Sequence, residues 1–186
     1  MTSYPPLDLA PELQIQTWFN APSPVSLASE RGKVVVIEAF QMLCPGCVSH
    51  GLPQAMSIQE VFPRKDVTVL GLHSVFEHHD AMQPHALEAF LHEYRIGFPV
   101  GVDQPADEGR GTTPKTMTAY QLRGTPSLLV IDRAGRLRIN HFGQVSDMRI
   151  AAVISRLIYE DTAVNASDPA EASDPVSRCT PDGCTV

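Results

Sequence analysis

Four of the 186 residues are cysteines, and they fall in two close pairs, Cys44/Cys47 and Cys179/Cys184. The first pair stands in Cys44-Pro45-Gly46-Cys47, directly after an apolar β-branched run and before a stretch with helical spacing. Proline is favoured at the first position of a helix, where its missing N–H costs nothing. Cys44 is therefore expected at a helix N-terminus, where free backbone N–H groups and the positive dipole end favour thiolate over thiol. Cys47 follows one turn later on the same face, close enough to close a small disulfide. That arrangement suits thiol–disulfide exchange: Cys44 attacks a disulfide and Cys47 displaces the product from the mixed disulfide. The same spacing could be half of a zinc site. No second Cys-x-x-Cys or spaced histidine pair completes four ligands, so the metal reading stands second and no metal ligand is assigned.

Three further groups carry possible chemistry. Glu38 is the only charge inside its apolar strand, six residues before Cys44. Buried, it would have a raised pKa suited to proton transfer; the alternative is a strand-end carboxylate reaching solvent. Cys179-Thr-Pro-Asp-Gly-Cys184 is a turn sequence bracketed by thiols, either a second dithiol relaying to Cys44–Cys47 or a passive disulfide or weak soft-metal site. Among seven histidines, His73 ends a strand and is a possible neighbour of Cys44, while His78 and His79 read as surface-loop residues and His50 and His92 as helix-surface residues.

The elements that must position these groups follow from the pattern of apolar residues. Lys33–Phe40 and Val67–His73 are continuous β-branched runs of the kind buried on both faces of a largely parallel sheet. A helix is expected from Pro45 to Val61 with the stripe Leu52, Ala55, Met56 and Ile58, and another from Pro84 to Tyr94. Pro99–Val102 reads as a short strand and Thr116–Gln121 as a short helix, separated by a Gly- and Pro-punctuated loop. Ser127–Asp132 and Leu137–Phe142 flank Arg-Ala-Gly135 as a hairpin, and Ser146 caps a last helix to about Glu160. The expected fold is α/β, a three-layer sandwich with a central mixed sheet and helices on both faces. Residues 1–29 form a lead-in with an edge strand near Leu13–Trp18, residues 30–160 the redox domain, and residues 161–186 an acidic tail of net charge −4, expected to be mobile.

A net charge of −7 without clustered Lys and Arg argues against nucleic acid as a partner, and there is no basic amphipathic helix for a membrane surface. No apolar run approaches the ~20 residues that cross a bilayer. The opening Met1-Thr-Ser-Tyr-Pro-Pro-Leu-Asp lacks the pattern of a secretory signal, so the expected setting is cytoplasmic, where cysteine pairs are more often catalytic or metal-binding than structural.

From Pro22 to Glu160 the chain resembles the redoxin or TlpA-like branch of the thioredoxin superfamily. "SLASERGKVVVIEAFQMLCPGC" is similar to that branch's first signature and "GTPSLLVIDRAGRLR" to its second, in the right order and separation. The resemblance implies a thiol–disulfide oxidoreductase that reduces or exchanges disulfides of proteins or small molecules. It would be recycled by a dithiol reductant and need no cofactor beyond its own redox-active disulfide. It implies that Pro126 is a cis-proline facing the dithiol, against the alternative of a trans proline opening an edge strand. Thr125 would then offer backbone groups to substrate, with Pro45 and Gly46 on the same rim, and Glu38 would relay a proton to and from Cys47. Two departures stand out: Leu43 replaces the usual tryptophan before the first cysteine, and Pro53 falls six rather than five residues after Cys47, which predicts a looser first turn. A peroxidase of peroxiredoxin type is the alternative, weakened by Ile37 and Gln41 at places where that motif has proline and threonine. A Cu(I)-handling redoxin-fold chaperone is a further one, with His141 as a loose third ligand.

Overall fold

A computed structural model describes residues 9–107 and 111–160. The tail, and with it Cys179 and Cys184, lies outside the described residues.

The central strand is β2, Val34–Phe40, in which all seven residues are buried, as a strand covered on both faces requires. It lies parallel to β3 (Val67–His73) on one side and antiparallel to β5 (Ser127–Ile131) on the other. With β1 (Ile15–Phe19), β4 (Val100–Asp103) and β6 (Leu137–Phe142), the strands form one mixed sheet in the order β1-β4-β3-β2-β5-β6. The expected lead-in strand is β1, an edge strand antiparallel to β4.

The two-residue period of a strand divides the core into two layers. Val34, Val36 and Phe40 pack with Val67, Val69 and Val130 beneath α1 (Leu52–Val61), α2 (Pro84–Glu93) and α4 (Asp147–Tyr159). Val35, Ile37 and Ala39 pack with Leu70, Leu72, Leu129 and Ile131 on the other face. That face is covered by Met117 of the short α3 (Lys115–Ala119), by Tyr120 and Leu122, and by lead-in residues Leu13, Val25 and Leu27. Helices thus lie on both faces, but unequally: three long ones on one side, a five-residue helix and the lead-in on the other.

The helix expected over Pro45–Val61 forms with one irregularity. Residues Cys47–Gly51 make a π turn, in which the N–H of Leu52 donates to the carbonyl of Cys47, five residues back. The extra residue between Cys47 and Pro53 is accommodated there, the looser turn that the proline spacing predicted. Ser146 caps α4 as expected, its hydroxyl oxygen accepting from the Arg149 N–H at 3.4 Å. A 3-10 turn at His79–Met82, entered through His78 at φ 50°, has no counterpart in the sequence reading. No helix among the described residues is long and apolar enough to cross a membrane.

Candidate active site

β2 ends at Phe40, and four residues later Cys44 stands at the mouth of the helix that begins with Pro45. The Cys44 side chain is half-buried. Its Sγ accepts from the backbone N–H of Cys47 at 3.3 Å and donates to the carbonyl of Thr125 at 3.4 Å. The same Cys47 N–H is 3.1 Å from the Cys44 carbonyl, so the turn is drawn tightly around the first sulfur. Cys47 is fully buried behind it, and the two thiols are unbridged. Burial, followed by its hydrogen bond with Cys44, pushes the Cys47 thiol well above its ordinary range. One sulfur is therefore reachable, and its neighbour needs help to lose a proton.

The Thr125–Pro126 peptide bond is cis, and Pro126 stands against the dithiol turn. A Cβ on Gly46 would sit 3.1 Å from the Pro126 Cδ, tighter than most real contacts, so glycine is what lets the motif close onto the proline. Pro45 is exposed on the rim beside Leu43, which leaves 57% of its surface to solvent, an apolar lip where the resembling branch carries tryptophan.

Glu38 is 2% exposed on the helix-bearing face of β2, which excludes the solvent-reaching alternative. Its Oε1 has no hydrogen-bond partner. Burial, then the nearby Cys44 charge, raises its pKa well above the ordinary 4.5. Gly51, at the end of the π turn, lies directly over this carboxyl. A Cβ there would strike Oε1 and approach Cδ to 2.9 Å and the Pro126 Cβ to 3.2 Å. A cleft of about 140 Å3 runs from Glu38 and Pro126 to the surface between the helix residues Ser49–Gln54 and the loop Gly143–Asp147. Sequence reasoning missed this cleft. Its one signal was a glycine inside a helix, in a segment one residue too long.

An unsuspected buried carboxylate is Asp103, which accepts from the Ser74 hydroxyl at 2.9 Å and from the N–H groups of Thr116 and Met117 at 2.8 and 3.0 Å. It fastens the start of α3, a structural task.

Among solved structures, a thioredoxin-like superfamily protein is 63% identical, with a TM-score of 0.80 over 82% of this chain and 97% of its own. This chain belongs to the thioredoxin-like superfamily. A thiol-disulfide isomerase from Corynebacterium glutamicum is 50% identical, with a TM-score of 0.77 over 82% of this chain and 98% of its own. StoA from Bacillus subtilis, 16% identical with a TM-score of 0.58 over 77% of this chain and 96% of its own, shares the fold. Protein DipZ from Mycobacterium bovis is 27% identical over 176 residues, 93% of this chain and 23% of DipZ. The chain thus spans about a quarter of the length of the curated relatives it matches. No family model matches the sequence.

The thioredoxin-like frame brings Cys44, Cys47, Gly46, Thr125, Pro126 and Glu38 together at one end of the sheet. Other expectations change. His73 is 1% exposed, its ring 5.3 Å from that of Phe40, and neither nitrogen has a hydrogen-bond partner. Burial lowers its pKa to about 4, so it is a neutral core residue at neutral pH. Phe76 is half-buried against the second core layer, its N–H held by the Gln41 side-chain carbonyl at 3.4 Å. His78 and His79 are exposed, and His50 is exposed with its Nδ1 2.6 Å from the Ser49 hydroxyl. His141 places Nε2 3.2 Å from the Gln144 carbonyl.

Proposed function

We propose that the protein reduces or exchanges disulfides through Cys44 and Cys47. The observation that carries this reading is the placement of Cys44 Sγ between the Cys47 N–H (3.3 Å) and the Thr125 carbonyl (3.4 Å), with Cys47 buried one turn behind. An extended substrate segment pairing with the Thr125 backbone would bring its own disulfide to Cys44, with Pro45, Gly46 and Pro126 framing the approach. Thiolate Cys44 attacks one substrate sulfur; the substrate S–S bond breaks, and the first product leaves as a thiolate that takes up a proton. Cys47 gives its proton to Glu38 and attacks Cys44 Sγ. The mixed disulfide breaks and the second product leaves as a thiolate that also takes a proton from solvent, so the substrate gains two electrons and two protons while the protein becomes the Cys44–Cys47 disulfide. A Cys47 thiol and a Glu38 carboxyl that are both raised by burial support such a transfer.

The setting we infer is cytoplasmic, with a dithiol reductant closing the cycle. Cys179 and Cys184 are proposed as an intermediate carrier in that return. The chain leaves the described residues at Glu160, whose carboxylate is held by Arg138 at 2.7 and 3.2 Å. Arg138 also binds Asp132 just beyond β5, at the end of the sheet opposite Cys44. The 18 residues between Glu160 and Cys179 can span at most roughly 60 Å, well beyond the ~17 Å length of β5 that must be bridged.

Turnover of an insulin-type disulfide, with Cys44→Ser as the control, tests the main reading; retained turnover in that variant ends it. A potential near about −270 mV makes the protein a reductant and one near about −120 mV an oxidant. For the tail, a Cys179→Ser/Cys184→Ser double variant that turns over at the parental rate with every reductant removes the carrier role.

A further inference from the structure

We propose that Gly51 is a positioning residue for Glu38, and that the cleft beneath it is the route by which this carboxyl exchanges protons with solvent, apart from the face where substrate meets Cys44. The inference rests on the reading of Glu38 as the proton acceptor for Cys47.

Three independent features converge. The π turn inserts one residue between Cys47 and Pro53 and brings Gly51 over the Glu38 carboxyl, where any Cβ would displace it. Oε1 of Glu38 has no protein partner, although a buried carboxyl ordinarily finds one. A cleft of about 140 Å3, large enough for several waters, starts at that carboxyl and opens between the polar side chains of His50, Gln54, Gln144 and Asp147. Gln54 holds the cleft's two walls together, its Nε2 donating to the Val145 carbonyl at 2.8 Å and to an Asp147 Oδ1. On the other flank, Cys44 and Cys47 lie toward the sulfur face. Of the titratable groups around Glu38, Cys44 acts from the sulfur side, His50 and Asp147 line the cleft, and His73 lies on the same sheet face, two residues along β3 from Gly71, which pairs with Glu38.

A proton taken from Cys47 must leave Glu38 before the next cycle, and Cys44 is covered by substrate at that moment. An exit at the back lets the two events proceed independently. Gly51→Ala presses the carboxyl out of place, and Gln144→Phe, at an exposed position, narrows the mouth without touching Glu38.

The test is a stopped-flow single turnover with a symmetric aromatic disulfide whose two thiolate products absorb visible light. The first release reports attack by Cys44, the second resolution by Cys47. Gly51→Ala is expected to slow the second release by about tenfold and to move its acid limb to higher pH by about one unit, leaving the first release unchanged; Gln144→Phe, which acts on the step after resolution, is expected to leave both releases unchanged and to slow, by about tenfold, the loss of the proton that Glu38 has gained. An infrared carboxyl band that Glu38→Gln abolishes reports the Glu38 protonation state in each. If Gly51→Ala gives a second release with the parental rate and pH profile, or if the infrared band of protonated Glu38 decays at the parental rate in Gln144→Phe, the inference is overturned; where Gly51→Ala does not fold, the band's decay in Gln144→Phe alone decides. If Glu38→Gln itself resolves the mixed disulfide at the parental rate, the underlying assignment of Glu38 fails instead.

Discussion

Replacing Glu38 by glutamine should make the folded protein more stable at neutral pH while slowing its chemistry. The carboxyl is 2% exposed with an unpartnered Oε1, and burial raises its pKa well above 4.5. In the unfolded chain the same group ionises near 4.5. Between that pH and the raised folded value, the unfolded state loses a proton that the folded state keeps. Stability contributed by this group is therefore fully present below about pH 4.5 and lost as pH rises through the folded pKa. Each pH unit in that window costs wild type about 1.4 kcal/mol that a glutamine variant does not lose. Urea denaturation of the two dithiol proteins from pH 4 upward measures it: with an m-value of about 2 kcal/mol/M, their midpoints should separate by about 0.7 M per pH unit and then run parallel. Comparing variants cancels the other titrating groups. A separation that stays constant with pH, or one favouring wild type as pH rises, would refute the argument, because it would mean the carboxyl is solvated in the folded protein. The disulfide form supplies an internal check. Without the Cys44 charge, the second cause of the raised pKa is gone and the pH window should narrow.

Cys47→Ser should retain attack on a disulfide but lose resolution, so a covalent adduct at Cys44 accumulates and is visible by intact mass; free turnover would show that another group resolves it. His73 makes the fold acid-sensitive. Its folded pKa of about 4 lies below the ordinary 6.5, so stability is lost as pH falls from 6.5, reaching about 3 kcal/mol at pH 4. His73→Met, which buries no unpaired nitrogen, should remove that loss in acid-titrated denaturation curves. Gly71→Ala should destabilise by about 1–3 kcal/mol in urea, because its Cβ would meet Val100 at 2.9 Å, Phe98 at 3.1 Å and Phe40 at 3.2 Å inside packed core.

What the sequence disclosed and what it hid divide along contact distance. The runs Val34–Phe40 and Val67–His73 announced the central strands because a strand buried on both faces leaves no polar period to confuse. The first turn of the active-site helix was legible even in its irregularity, since Pro53 stands one residue late and a helix absorbs an extra residue as a π turn. The hidden features are long-range. Asp103 caps α3 from thirteen residues away, and the cleft exists only because residues 49–54 and 143–147, joined by Gln54 across 91 positions, meet beside Glu38. His73 shows the limit differently. The strand pattern places it on the face of Phe40, but only the packing shows that its ring is sealed there without a partner.

Pro126 joins the two halves of the site. On one side its Cδ lies where Gly46 allows the dithiol turn to approach, and on the other its Cβ lies where Gly51 leaves room over Glu38. One rigid ring thus sets the spacing of both the sulfur face and the carboxyl cleft. At Gly46 the obstacle to a side chain is this ring, 3.1 Å away, whereas at Gly51 it is first the Glu38 carboxyl and then the ring, 3.2 Å away. A change at Gly46 should therefore be felt first by substrate attack and a change at Gly51 first by resolution, although each touches the same proline. That ordering follows from which face of the ring each glycine meets.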